Sequence, residues 1–170
     1  MKCFSSRYKL LLARSFSTFV RPLLEFSSVI WCPYYIHEIK KIEAVQRTFT
    51  KSIGNLHLYT YHERLSMLKF DSLQCRRLKM DLIMCYKILY CLVDINSSCF
   101  FKRSLNDPTH GNSLKLAKQR IISARDKNFF TNRVINIWNA LPDSIVTSSS
   151  VSSFKRNIAQ FDLSRYLLFY

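Results

Sequence analysis

Carboxylate side chains are the first candidates for catalytic chemistry, and in this sequence of 170 residues they are few and widely separated. Its 11 Asp and Glu residues include no adjacent aspartates and no two acids four residues apart. A two-metal site needs carboxylates that converge on one point, and no such group is visible. The two glycines, Gly54 and Gly111, are too far apart for a glycine-rich phosphate loop. We therefore predict no catalytic residue, no metal site and no cofactor.

Basic side chains are far more numerous, and they point to an anionic partner. Lys and Arg total 26, which gives a formal net charge of +15 and a pI near 9.8. Such an imbalance indicates nucleic acid first and an anionic membrane surface second. The candidate nucleic-acid-binding residues lie on two predicted helices: Lys40, Lys41, Arg47, Lys51, Arg76, Arg77 and Lys79. They would contact backbone phosphates and release counterions without recognising base sequence.

Two other roles for these cations remain open. Charge on the outer face of a helix is often only solvated, and Glu43 lies among the first four residues, where it is expected to offset part of their field. Some arginines border apolar stripes instead and are candidates for ion pairs with Asp81 or Glu63. These arginines are Arg64, Arg76, Arg77 and Arg133.

The hydrophobic periodicity that must position these side chains is mostly helical. Apolar residues recur at steps of three and four, few glycines interrupt them, and aromatic residues make up 14% of the chain. Thr60 with Glu63 forms a capping box, and Ser72 precedes the widest apolar stripe. Pro22 should bend or break the first helix. The predicted helices are 5–26, 36–53, 61–68, 73–93, 128–141 and a short one carrying Phe154, Ile158 and Phe161.

The predicted fold is therefore mainly α, a small bundle of about five or six helices. A loop-rich insertion at about 94–126, with room for short strands, interrupts the helices. We expect a single domain or domain fragment over 1–170, with a helical part at 1–93 and a C-terminal helical part at 127–170. Trp138 should be buried, with Phe130, Val134 and Leu141 on the same helical face.

Four blocks of residues, in order along the chain, carry a resemblance to a known family. They are 19–26 with 31–34; 42–47 with 50–51; 61–65 with 76–77, 81–82 and 86–87; and 129–130 with 133–134, 138–142 and 154–155. Together they resemble the segment that follows the palm in reverse transcriptases of non-LTR retrotransposons, the LINE-type elements of the jockey and chicken-repeat kind. The resemblance covers residues 19–155.

In that family these blocks belong to the thumb and C-terminal region, and the polymerase and endonuclease motifs lie upstream. The resemblance thus implies a fragment of an RNA-directed DNA polymerase that is not an enzyme by itself. In the intact parent it would bind the RNA or DNA backbone of template and primer. The alternative from another class is an inactive helical protein-interaction remnant.

The expected surroundings follow from composition. No run of 18 or more apolar residues is present, so we predict neither a transmembrane segment nor a membrane partner, although a basic helix at 5–26 leaves membrane-surface binding as a third alternative. The six cysteines include no Cys-x-x-Cys pair, which favours reduced thiols and an intracellular location, nuclear or cytoplasmic. We expect no signal peptide and no small-molecule substrate, and the oligomeric state is left open.

Overall fold

The computed structural model describes residues 8–104, 112–118, 120, 123, 126 and 128–167. Over these residues the chain is mainly α-helical, which confirms the predicted fold class. Described residues form no β-strand, and the predicted short strands reduce to one isolated antiparallel bridge between Arg103 and Leu116. Residues 106–108 and 110–111, whose residue types favour turns, lie outside the described residues.

The described helices account for every predicted helical segment. They are α1 (Lys9–Ser15), a π-helical stretch (Phe16–Val20), α2 (Arg21–Glu25), α3 (Ser28–Trp31), α4 (Ile36–Lys51), α5 (Tyr61–Leu68), α6 (Leu73–Leu89), α7 (Ser97–Phe100), α8 (Phe130–Ala140), α9 (Asp143–Val146) and α10 (Val151–Gln160). Short 3-10 turns follow α4 at Gly54–Leu58 and α10 at Ser164–Tyr166.

Pro22 changes the type of the first helix rather than ending it. From α1 the chain passes through the π-helical stretch into α2 without a gap, and Pro22 occupies the first turn of α2. The Arg21 N–H donates to the carbonyl of Phe16, five residues earlier. Proline lacks an N–H and crowds the carbonyl four residues before it. The wider π turn relieves that conflict, so the helix continues to Glu25.

Local capping starts α5 and α6 where the sequence predicts. The capping box of Thr60 and Glu63 is formed, and the Ser72 hydroxyl accepts a hydrogen bond from the Cys75 N–H at 3.2 Å. Helix α6 ends at Leu89 rather than at residue 93, because Cys91 takes a left-handed conformation with φ of 52°. The Leu92 N–H then donates to the Lys87 carbonyl at 2.8 Å, which closes the helix end.

Contacts divide the described chain into two compact units, and the division falls after Arg77, inside α6. The N-terminal unit contains the described residues up to Arg77 and Leu167, and the C-terminal unit contains those from Leu78 to Tyr166. The N-terminal unit has its own apolar core: Leu12, Phe16, Ile39, Ile53, Leu56, Leu65 and Leu73. Within it the rings of Phe16 and Phe49 stack with centroids 4.4 Å apart.

The C-terminal unit is built around Trp138, whose predicted burial is confirmed at 0% exposure. Phe130, Val134 and Leu141 are buried with it, also as predicted. The Trp138 indole N–H donates to the Leu114 carbonyl at 2.9 Å. Asn112 is a residue type that favours exposed turns, but here it is fully buried, and its amide donates to the carbonyls of Trp138 and Leu141 at 2.8 and 3.1 Å.

Candidate nucleic-acid interface

Helix α4 presents four of the seven candidate residues to solvent. Lys40, Arg47 and Lys51 are spaced seven and four residues apart, which places them on one helical face. Lys41 lies beside that face, and all four side chains are exposed. Lys41 also borders an open groove of about 580 Å³, which is lined further by Ala44, Val45, Thr48, Phe49 and Ser52. These four residues, called the α4 basic face below, are accessible to a phosphate backbone.

The buried side of α4 differs from the predicted apolar stripe. Its buried residues are Ile39, Glu43, Gln46 and Thr50, at steps of four, three and four. The helical spacing of apolar residues predicts instead that this side consists of Ile36, Ile39, Ile42, Val45, Phe49 and Ile53. Ile36 and Val45 are instead 53% and 41% exposed. The helix is therefore rotated so that three polar side chains face inward.

Glu43 makes this inward polar face possible. The residue is 3% exposed, and its carboxylate accepts hydrogen bonds from the Tyr61 hydroxyl and from the N–H groups of Leu73 and Gln74, the latter two at 3.1 and 3.2 Å. Those two N–H groups belong to the first turn of α6, where a helix dipole favours negative charge. Burial and the hydrogen bond to Glu43 raise the pKa of the Tyr61 phenol.

The position of Glu43 also alters the expected charge of the α4 basic face. The sequence places this acid among the cations, but the structure directs its carboxylate toward the start of α6. Glu43 is therefore not part of the exposed surface. The other acid of α4 is Glu38, which is half-buried. The face is more uniformly positive at its surface than the sequence predicts.

Two further polar side chains, those of Gln46 and Thr50, fix the rotation of α4. The Gln46 amide donates to the Tyr61 hydroxyl at 3.1 Å and to the Asp71 carbonyl at 2.9 Å. The Thr50 hydroxyl accepts from Nε of Arg64 at 3.3 Å. On the exposed side, the Arg47 guanidinium lies 4.8 Å from the centre of the Tyr61 ring. The basic face is thus presented by a helix whose register is set by buried hydrogen bonds.

The three candidate residues on α6 are not exposed. Arg76 is half-buried and forms a two-bond ion pair with Glu25, in which Nη2 lies 2.9 Å from the carboxylate; hydrogen bonding to that carboxylate raises the Arg76 pKa. Arg77 is only 2% exposed, and its two Nη atoms have no hydrogen-bond partner among the described residues. Lys79 is half-buried. In this structure α6 therefore contributes no open phosphate-binding face.

The alternative ion-pairing role is confirmed for one of the four arginines. Arg133 donates through Nε and Nη2 to both carboxylate oxygens of Asp81, each at 2.8 Å. The buried Arg64 donates instead to the Tyr59 carbonyl at 2.8 Å and to Thr50. Arg76 pairs with Glu25, which the sequence did not indicate, because the two residues lie far apart along the chain.

Arg21 is a charged residue of this region that the sequence did not single out. Its guanidinium lies 4.3 Å from the centre of the Phe70 ring, and its Nε and Nη2 atoms are buried without a hydrogen-bond partner among the described residues. Burial and the nearby charge of Arg76 lower the Arg21 pKa. In the sequence Arg21 is distinguished only by its position beside Pro22, and that position does not predict a contact with Phe70.

Within the described ranges, no three His, Cys, Asp or Glu side chains are grouped as metal ligands, and no helix has the length and apolarity needed to cross a membrane. No protein-family model matches the chain, and no match to it was found among the curated proteins or the solved structures.

Proposed function

We propose that this chain is the thumb and C-terminal region of a non-LTR retrotransposon reverse transcriptase, lacking the catalytic palm and the endonuclease. Its role in the intact parent is to hold the phosphate backbone of template and primer, inside the cell. The ordered blocks over residues 19–155 support this ancestry. The formal net charge of +15 supports a polyanionic partner.

The observation that carries the binding role is the α4 basic face. Lys40, Lys41, Arg47 and Lys51 are exposed on a helix whose opposite side is fixed by buried hydrogen bonds. Glu43 is withdrawn from this surface. Cations held on a rigid element can contact successive phosphates, and each contact releases counterions without recognising base sequence.

The test is a salt titration of binding to a duplex of arbitrary sequence. Changing Lys40, Arg47 and Lys51 together to Gln should lower the log–log slope of affinity against salt by about 2–3, since each lost phosphate contact removes about 0.7–0.9. The matched control changes Lys9, Arg14 and Lys69, three exposed cations of the same unit, to Gln. Equal slopes for the two triple variants would refute the role of the α4 basic face.

A second candidate function is protein interaction without enzymatic activity, and a specific surface favours it. Phe19, Leu23, Phe26 and Ile30 are 68%, 78%, 77% and 85% exposed. Soluble monomers seldom expose several large apolar side chains so close together in the chain, and such groups mark interaction sites.

Self-association tests this candidate with a second copy of the chain as the partner. Sedimentation velocity over a range of concentrations should show a dimer that the L23Q/I30Q variant loses. The L58Q variant, at a residue 74% exposed in the 3-10 turn after α4, should retain it. A monomer at all concentrations would argue against self-association through this surface.

A further inference from the structure

The N-terminal unit contains a small cavity between α5 and the start of α6, with a volume of about 140 Å³. Tyr61 and Leu65 of α5 line it one helical turn apart, and Phe70 lines it from the loop before α6. Pockets that bury a drug-sized ligand measure roughly 300–1,000 Å³. This cavity is therefore of a size for one planar ring system, and two of the residues that line it are aromatic.

The two aromatic walls are held in place by their other contacts. The centre of the Phe70 ring lies 6.2 Å from that of Phe16 and 4.3 Å from the Arg21 guanidinium. The Tyr61 hydroxyl donates to the buried carboxylate of Glu43. Tyr61 and Phe70 are still only half-buried, so part of each remains accessible to a ligand. Because these walls are already ordered, binding against them has a lower entropic cost.

The polar groups of the cavity favour a neutral ligand with N–H donors. Among the described residues that line it, Asp71 is the one acid, and none is Lys or Arg. The Ser66 hydroxyl donates to the His62 carbonyl at 3.2 Å, so its oxygen can still accept a hydrogen bond. The Ser72 hydroxyl accepts from the Cys75 N–H, so it can still donate. An exposed acid repels a phosphate, but it accepts a hydrogen bond from the amino group of a nucleobase.

Arg47 of the α4 basic face connects this cavity to the phosphate-binding surface. Its exposed guanidinium lies 4.8 Å from the centre of the Tyr61 ring, and Tyr61 lines the cavity. A strand whose phosphates contact Arg47 therefore passes beside the Tyr61 wall. Proteins that bind single strands combine such cations with aromatic side chains against which the bases stack. Here the cation and the aromatic wall are close enough for one nucleotide to contact both.

We infer that this cavity binds one unpaired nucleobase of single-stranded RNA or DNA, while the α4 basic face holds the neighbouring phosphates. The inference rests on the proposed function, because it takes nucleic acid as the ligand of that face. It adds that the strand bound there includes an unpaired base. The bases with an exocyclic amino group, which are adenine, guanine and cytosine, are favoured because Asp71 accepts from that group.

The test compares the affinity of the full chain for a short oligodeoxycytidine strand with its affinity for an abasic strand of equal length. The abasic strand keeps the phosphates and lacks the bases. Base–aromatic contacts change affinity by about 5- to 150-fold per base, so the wild-type chain should prefer the cytidine strand by a factor in this range. Its affinity for the abasic strand should depend on the α4 basic face alone.

Two variants fill the cavity from different walls: Ser66→Phe on α5 and Cys75→Leu on α6. Each should bring the preference for the cytidine strand toward 1 and leave the affinity for the abasic strand unchanged. The matched control is Met67→Phe, which adds a ring at the next residue of α5, 50% exposed and outside the cavity lining. It should keep the wild-type preference. Circular dichroism verifies that the variants retain their helices, and if one filled variant does not, the other decides.

The outcomes separate this inference from the proposed function. A preference that a filled variant loses and Met67→Phe keeps supports the cavity. A preference near 1 in the wild-type chain, one that both filled variants keep, or one that Met67→Phe also loses overturns it. The proposed function survives those results if the chain binds a duplex with a salt slope that K40Q/R47Q/K51Q lowers. Binding to neither strand nor to a duplex overturns both.

Discussion

Removal of the Glu43 carboxylate is the sharpest perturbation of the region that presents the α4 basic face. In the Glu43→Ala variant the N–H groups of Leu73 and Gln74 lose their acceptor at the start of α6, and the Tyr61 hydroxyl loses its own. Two cap bonds contribute about 1 kcal/mol each, the charge–dipole interaction about 0.5 kcal/mol and the half-buried hydroxyl about 1–3 kcal/mol, so the expected loss of stability is roughly 3.5–5.5 kcal/mol.

Urea unfolding followed by far-ultraviolet circular dichroism measures this loss. The matched control is Glu38→Ala in the first turn of the same helix, where a half-buried acid interacts mainly with the helix dipole and its loss costs about 0.5 kcal/mol. Glu43→Gln keeps the shape and one carbonyl acceptor, so its cost should lie between the two. If Glu43→Ala destabilises no more than Glu38→Ala, the buried polar network does not hold α4, and the α4 basic face is not fixed by it.

Four further predictions follow from individual contacts. Trp138→Ala should cost about 3–5 kcal/mol in urea unfolding, the range for a truncated core aromatic, whereas Trp31→Ala at a 41% exposed site should cost clearly less. Arg133→Met should cost about 3–5 kcal/mol because it removes the cation that pairs with the buried Asp81 carboxylate, and adding Asp81→Leu should recover part of that loss; a double variant worse than the single would contradict this. Hydrogen bonds from Thr60 lower the Glu63 pKa below its usual 4.5, so the ionised carboxylate stabilises the folded state. This stabilisation is complete above pH 4.5 and is lost as the pH falls through the pKa of Glu63 in the folded protein. Glu63→Gln should therefore lose less stability on acidification than the wild type does. Purified chain supplied with magnesium or manganese should give no primer extension above a blank preparation, because its acids are not clustered.

Local signals in the sequence predicted helix starts and the aromatic core well. The Thr60 capping box and the Ser72 cap act over three residues, so nothing distant in the chain can change them. Trp138 and its apolar neighbours recur at helical spacing, and the side of α8 that this spacing predicts to be buried is the side that is buried. Ends were harder to predict: the stop of α6 depends on a left-handed Cys91, a residue type with no preference for that conformation.

The orientation of α4 shows what hydropathy alone misses. A pattern of apolar residues predicted that Val45 would be buried and Glu43 exposed, and the structure has the reverse. A buried carboxylate is tolerated only where donors surround it, and those donors come from Tyr61 and α6, which no local pattern reveals. Arg77 is the corresponding case among the candidate site residues: a basic residue type predicts an exposed side chain, but Arg77 is 2% exposed.

The division of the chain inside α6 has a practical consequence for dissecting this protein. Independent domains are usually separated by exposed linkers, which is where proteases cut and where shortened versions are designed to end. Here the division after Arg77 falls within a continuous helix of 17 residues, none of them exposed. Cutting there would separate residues 78–89 from the Ser72 and Glu43 contacts that start the helix. We therefore expect protease to spare this helix and to cut first at the exposed residues 94–96 that follow it.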